Sequence, residues 1–231
     1  MHIVLLPGLD GTGICFDPFL QALEKTKTFK EVNVIRYRHD CVQTYAELEL
    51  EVRSQLPQSE EFVLLGESFS GPVALSIAAA PPRNLRGVIL VASFASNPRP
   101  WLSWLRFALP FISIKLTPDV LINFALLGKS DTPALRSLLN NAIKVLSVKV
   151  FQTRLREVMD VDYLARAGQI ALPCLYLRAN RDRLVPKQAS DTLIAGLREV
   201  RSFDIDAPHF LLQVAPDVAA SHIQSFVSRL T

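Results

Sequence analysis

The feature that most constrains the fold is an alternation. Short runs rich in Leu, Val and Ile, at His2–Leu6, 32–36, 62–66, 87–92, Cys174–Ala179 and Val200–Ile205, are separated by longer stretches of helical period. Apolar strands with helices between them are the pattern of a parallel sheet covered on both faces. The intervening helices are expected at 18–25, 45–56, 72–80, 187–197 and 216–229. Thr44 is placed to cap the second of them, with Glu47 three residues on completing a capping box.

One stretch breaks the rhythm. Residues 97–160 contain no convincing strand, and prolines stand at 98, 100, 110, 118 and 133. The segments 101–109, 118–127, 132–146 and 148–159 read as helices with apolar stripes. The expected organisation is a core made of 1–96 and 161–231, with 97–160 inserted between the fourth and fifth strands as a helical lid.

The chemistry concentrates where strands end. The run FVLLGESFSG (62–71) carries an apolar strand into a tight turn and on into the helix that starts near Pro72. A serine on such a turn is pushed outward, and small residues around it let strand and helix pass closely. Ser70 stands where G-x-S-x-G has its second glycine, and Gly71 follows at once. Alone, the motif also fits a capping serine in an ordinary βα turn. The first strand ends in LLPGLDGTG (5–13), a glycine-rich loop. No lysine followed by Ser or Thr closes it and G-x-G-x-x-G is absent, which disfavours a nucleotide site. The strand Cys174–Ala179 leads into NRDRLVP (180–186), and the last strand into DAPHF (206–210).

Ser68, Asp182 and His209 therefore follow one another in chain order, each after a strand. This resembles the α/β-hydrolase superfamily, with a mostly parallel six-stranded sheet that lacks the family's first two strands. The resemblance implies a spatial order 2-1-3-4-5-6. It implies Ser68 as nucleophile, His209 as base, Asp182 as the acid orienting that base, and the backbone N–H groups of Leu9 and Phe69 as the oxyanion hole. The implied reaction is cleavage of carboxylic esters or thioesters through an acyl-enzyme on Ser68, with no cofactor and no metal. An acyltransferase using the same three residues, or a non-catalytic small-molecule receptor on the same fold, remain open alternatives.

Within the insertion, Trp101, Trp104, Phe107, Phe111 and Phe124 are candidates to line an acyl pocket, or else simply pack the helices. Its charge is +5, from nine Lys/Arg against four acids, while the whole chain carries only +3. That small total argues against nucleic acid. The run LREVMDVDYL (155–164) gives a narrower resemblance, to pimeloyl-acyl-carrier-protein methyl ester esterases, which implies an acidic acyl carrier protein as partner at the basic lid. The opening loop resembles instead a set of bacterial hydrolases and plant acyltransferases. Three cysteines without metal-ligand spacing, no secretory leader after Met1 and no membrane-length apolar run together suggest a cytoplasmic protein.

Overall fold

A computed structural model describes residues 1–230. Six strands form one sheet: β1 His2–Leu6, β2 Glu31–Val34, β3 Phe62–Glu67, β4 Leu85–Val91, β5 Cys174–Ala179 and β6 Val200–Ile205. Their order is β2-β1-β3-β4-β5-β6, as the resemblance implies, and all five pairings are parallel. The order reverses between β1 and β3, so the loops after these two strands diverge and leave a crevice at the carboxyl edge.

Alternate residues of the central strands feed two separate cores. Val4, Leu64, Leu90 and Tyr176 face one side. There they meet α2 (Tyr45–Gln55), α3 (Gly71–Ala79), the short α7 (Leu164–Ala167) and α8 (Lys187–Gly196). Ile3, Val63, Ile89 and Leu175 face the other side, against α1 (Asp17–Thr26), α9 (Leu211–Val214) and α10 (Pro216–Val227). Each fully buried Leu or Ile contributes about 1.5–3 kcal/mol, so this two-sided burial is what fixes the register. The edge strand β6 differs from the expectation of apolar strands throughout. Arg201, Ser202, Phe203 and Asp204 are exposed, and charged edges of this kind resist pairing with another chain.

The expected capping box of α2 is present: Thr44 Oγ1 accepts from the Glu47 amide, and the Glu47 carboxylate accepts from the Thr44 amide. Thr132 and Ser147 cap α5 (Pro133–Val145) and α6 (Val148–Asp160) in the same way, each through its hydroxyl oxygen. A hydroxyl cap contributes about 1 kcal/mol.

Between β4 and β5 the chain is helical, apart from an isolated antiparallel bridge between Ser96 and Asp162 at its base. It holds α4 (Asp119–Leu126), α5 and α6 near their expected positions. The first segment is different. Residues Pro100–Phe107 form a 3-10 helix, and 3-10 turns follow at Leu109–Phe111 and Ile114–Leu116. Among the described residues no helix is long and apolar enough to cross a membrane.

Candidate active site

The turn after β3 holds the backbone in a constrained conformation. Ser68 adopts φ 49°, a left-handed conformation rare for a residue with a side chain. A single residue held there costs about 1–3 kcal/mol and persists only where its surroundings enforce it. The enforcement is close packing. A Cβ on Gly71 would lie 1.7 Å from Ser93 Oγ, and one on Gly66 would lie 2.8 Å from the Ser70 carbonyl oxygen. Ser93 Oγ occupies that space because it donates to the Ser68 carbonyl at 2.7 Å. Ser93 is itself fixed by Tyr176, whose hydroxyl accepts from the Ser93 amide and donates to its carbonyl. The substitution of Ser70 for glycine is put to use. Its buried hydroxyl hydrogen-bonds Tyr37 Oη at 2.6 Å and donates to the Pro7 carbonyl, tying the elbow to the loop after β1.

Three side chains from three strand ends meet above this turn. Ser68 Oγ lies 2.8 Å from His209 Nε2, and His209 Nδ1 lies 2.7 Å from Asp182 Oδ2. The other Asp182 oxygen accepts from the Leu184 and Val185 amides at 2.7 and 2.9 Å. The two loops are stitched together by the Arg181 amide donating to the Ala207 carbonyl. Asp182 is thus oriented from behind, and it can only present Oδ2 to the imidazole.

His209 is buried, and burial opposes its charged form. The Asp182 charge and hydrogen bond, helped by Glu67, outweigh that penalty and leave its pKa above the ordinary 6.5. Glu67, beside the serine, is also buried. Burial pushes its carboxyl up to about 7, with Asp10 adding to the rise and the 3.0 Å hydrogen bond from Gln213 opposing it. A carboxyl raised from 4.5 to about 7 is most favourable to the fold when protonated. Its stabilisation is therefore complete below pH 4.5 and is lost as pH rises through 7. Glu67→Gln should melt higher than the natural protein at pH 8, by an equivalent of roughly 3 kcal/mol, and nearly equally at pH 4.5. It should also move the acid limb of any His209-dependent activity to lower pH. Thermal melts and a pH–rate profile check both.

The loop after β1 completes the site. Gly8, Leu9 and Asp10 share a cavity of about 480 Å³ with Ser68, Phe69 and His209. This volume is typical of small-molecule pockets, roughly 300–1,000 Å³. Away from the triad its walls are mostly apolar, supplied by Leu102, Leu105, Leu109, Ile143, Leu155 and Val158, with Phe94, Phe151 and Phe210 among the others.

The five aromatics proposed as pocket lining do not line it. Trp101, Trp104, Phe107, Phe111 and Phe124 are 57–87% exposed and lie outside the cavity wall. For the three on Pro100–Phe107 the reason is the 3-10 geometry, in which residues three apart eclipse; Phe111 ends a separate 3-10 turn, and Phe124 lies on α4 against Arg183. Trp101, Trp104 and Phe107 fall on one outward face, and Leu102 and Leu105 fall on the inward one.

Arg154 was not singled out in the sequence, and it is the largest buried polar group near the site. It comes from α6 and is 1% exposed. Its guanidinium donates to the carbonyls of Leu9, Asp10 and Arg38 at 2.8, 2.9 and 3.0 Å, and lies over the rings of Tyr37 and Phe69. Gly11, at φ 73°, makes room for it: a Cβ there would stand 2.4 Å from Arg154 Nη1. The signal was available. Arg154 stands four residues from both Val150 and Val158, on the stripe of α6 that faces inward.

Comparison with known proteins bears on the fold and the family. Among curated proteins none matches the chain in sequence. Its structure is similar to an esterase from Exiguobacterium antarcticum (TM-score 0.83, 16% identity, 99% of this chain and 92% of that one). It is also similar to a lipase-esterase related protein from Clostridium acetobutylicum (0.80, 15%, 97% and 93%) and to an enol-lactonase from Burkholderia xenovorans (0.76, 17%, 98% and 91%). At these identities the likeness speaks for the fold. A family profile described as serine aminopeptidase, S33, matches residues 33–205, three quarters of the chain. The chain belongs to that family of hydrolases, within the α/β-hydrolase superfamily.

Proposed function

We propose that the protein is a serine esterase that cleaves carboxylic esters or thioesters of apolar acyl groups through an acyl-enzyme on Ser68. The observation that carries this reading is the unbroken chain of hydrogen bonds Ser68–His209–Asp182 beside a largely apolar cavity. His209 Nε2 takes the hydroxyl proton as Ser68 Oγ attacks the carbonyl carbon. The negative oxygen that develops is received by the backbone N–H groups of Leu9 and Phe69, and a donor of this kind is worth about 3–4 kcal/mol on the barrier. The imidazolium returns its proton to the leaving alcohol or thiol. A water deprotonated by His209 then releases the acid and frees Ser68.

Two features support the oxyanion assignment. Leu9 and Phe69 border the same cavity as Ser68. Arg154 holds the Leu9 and Asp10 carbonyls turned away from it, a positioning role that fixes the plane of the loop's peptides. The helical insertion serves as the lid, because its inward leucines form the acyl wall.

The test is a series of p-nitrophenyl esters from acetate to palmitate, run beside aminoacyl p-nitroanilides, with a fluorophosphonate probe mapped by mass spectrometry. Turnover of esters with an intermediate chain length preferred, little turnover of anilides and a probe adduct on Ser68 are the expected results. No adduct and no turnover would favour a binding protein. Product diverted to a new ester by added alcohol would identify a transferase.

A further inference from the structure

The insertion exposes apolar side chains on a scale that ordinary soluble surfaces avoid. Between residues 101 and 124 stand the five aromatics described above, with Leu116 and Leu121 beside them, all exposed. Both tryptophans of the chain are in this set. They do not pack the helices together; Leu102, Leu105 and Leu109, which line the cavity, are the inward residues of the same stretch.

Two further properties say what covers this face. The first is continuity with the site. Leu121 is 58% exposed and also borders the cavity, and Arg99 borders it too. The set of exposed apolar side chains on the insertion therefore includes one at the cavity wall. The second is charge. Arg99 and Arg183 lie over the rings of Trp101 and Phe124, at 5.6 and 3.8 Å. They donate to backbone carbonyls, Arg99 to those of Arg183 and Leu184, and Arg183 to that of Phe124. Among the described residues neither they nor Lys115 form an ion pair with a carboxylate, whereas Arg106 lies 3.6 Å from Asp160.

Large rings at an aqueous boundary, flanked by uncompensated cations, match a surface that is oily within and anionic at its rim. A second copy of the chain would bring its own cations against these, whereas an anionic bilayer answers both the charge and the rings. We propose that the face carrying Trp104, Phe107 and Phe111 docks onto an anionic lipid bilayer and seats the cavity mouth against it. Substrate would then enter from the lipid phase, which rests on the esterase reading; the docking itself does not.

The experiment uses the full chain and vesicles of phosphatidylcholine, alone or mixed with equal parts of phosphatidylglycerol. Expected is co-sedimentation with the mixed vesicles, weakened by salt, together with a blue shift of tryptophan emission, which reports only from this face. Phe107→Ser combined with Phe111→Ser should lower the partition by about tenfold or more. It should leave the melting temperature and the hydrolysis of a short, soluble ester unchanged. Lys115→Glu should weaken binding to the mixed vesicles alone. Ser68→Ala should bind as the natural protein does, so a chain inert towards esters can still pass this test. The proposal is overturned if neither vesicle is bound or if the double variant binds equally well. It is also overturned if sedimentation velocity shows a dimer that the double variant abolishes without any vesicle binding. Capture of an acidic acyl carrier protein in place of vesicles would overturn it too.

Discussion

Replacing Ser68 with alanine is expected to lower kcat for ester hydrolysis by about a millionfold, with the fold left intact. The size follows from the way the three residues act as a unit. Without Oγ there is no nucleophile for His209 to activate, and what remains is binding and the oxyanion donors. A factor of a million is about 8 kcal/mol of barrier. Stability should hardly change, because the Ser68 hydroxyl is bonded to His209 and supports nothing else in the packing. The parts that hold the turn, Ser93 Oγ on the Ser68 carbonyl and the close approach of Gly66 and Gly71, survive the substitution. Single-turnover and steady-state assays, read beside a melting curve, separate a chemical loss from a folding one. Residual activity above a thousandth of the natural level would mean that another group attacks the ester.

Asp182→Asn should cost about ten-thousandfold in kcat, for a reason visible in its contacts. Asparagine keeps the oxygen that accepts from the Leu184 and Val185 amides, so the loop has every reason to stay in place. The position of Oδ2 is then taken by an NH₂ group facing His209 Nδ1. A donor there forces Nδ1 to accept, which puts the imidazole proton on Nε2, opposite Ser68 Oγ. Such a tautomer cannot take the serine's proton. The pH dependence should change as well. His209 works as base only when neutral, and Asp182 helps hold its pKa above the ordinary value. Losing that carboxylate lowers the pKa, so the rise of activity with pH should move to lower pH while its plateau falls. A profile whose limb stayed in place would show that Asp182 does not act on His209 through charge.

How much of this could be read from residues alone depends on the kind of interaction that fixes each element. The strands were legible because burial on two faces demands apolar runs; their order was implied only by the resemblance to the α/β-hydrolase superfamily, and the sheet has that order. Ser68, Asp182 and His209 could be proposed together because each follows a strand, and a parallel sheet delivers all such ends to one edge. The outward turn of Trp101, Trp104 and Phe107 was not legible, because it hangs on a 3-10 rather than an α period. A change from 3.6 to 3.0 residues per turn rotates a whole stripe from the cavity to solvent. Proline-dense sequence gives little to choose between those periods. Glu67, Ser93 and Tyr176 escaped notice for another reason: each looks like an ordinary strand or turn residue until the chain's distant parts meet. Glu67 becomes unusual only beside Gln213, Asp10 and His209.

The seat of Arg154 has a consequence for how such a chain can change over time. Its three acceptors belong to the loops after β1 and β2, whereas the arginine belongs to the insertion. Trimming the insertion would therefore strand the carbonyls of Leu9, Asp10 and Arg38 without their buried donor, and the niche opened by Gly11 would stand empty. Descendants of this sequence are freer to vary the outward side chains of 100–126, whose ties to the rest of the fold are few, among them Arg106 to Asp160 and Arg183 over Phe124. They are not free to discard α6, which has become part of the foundation beneath the catalytic floor.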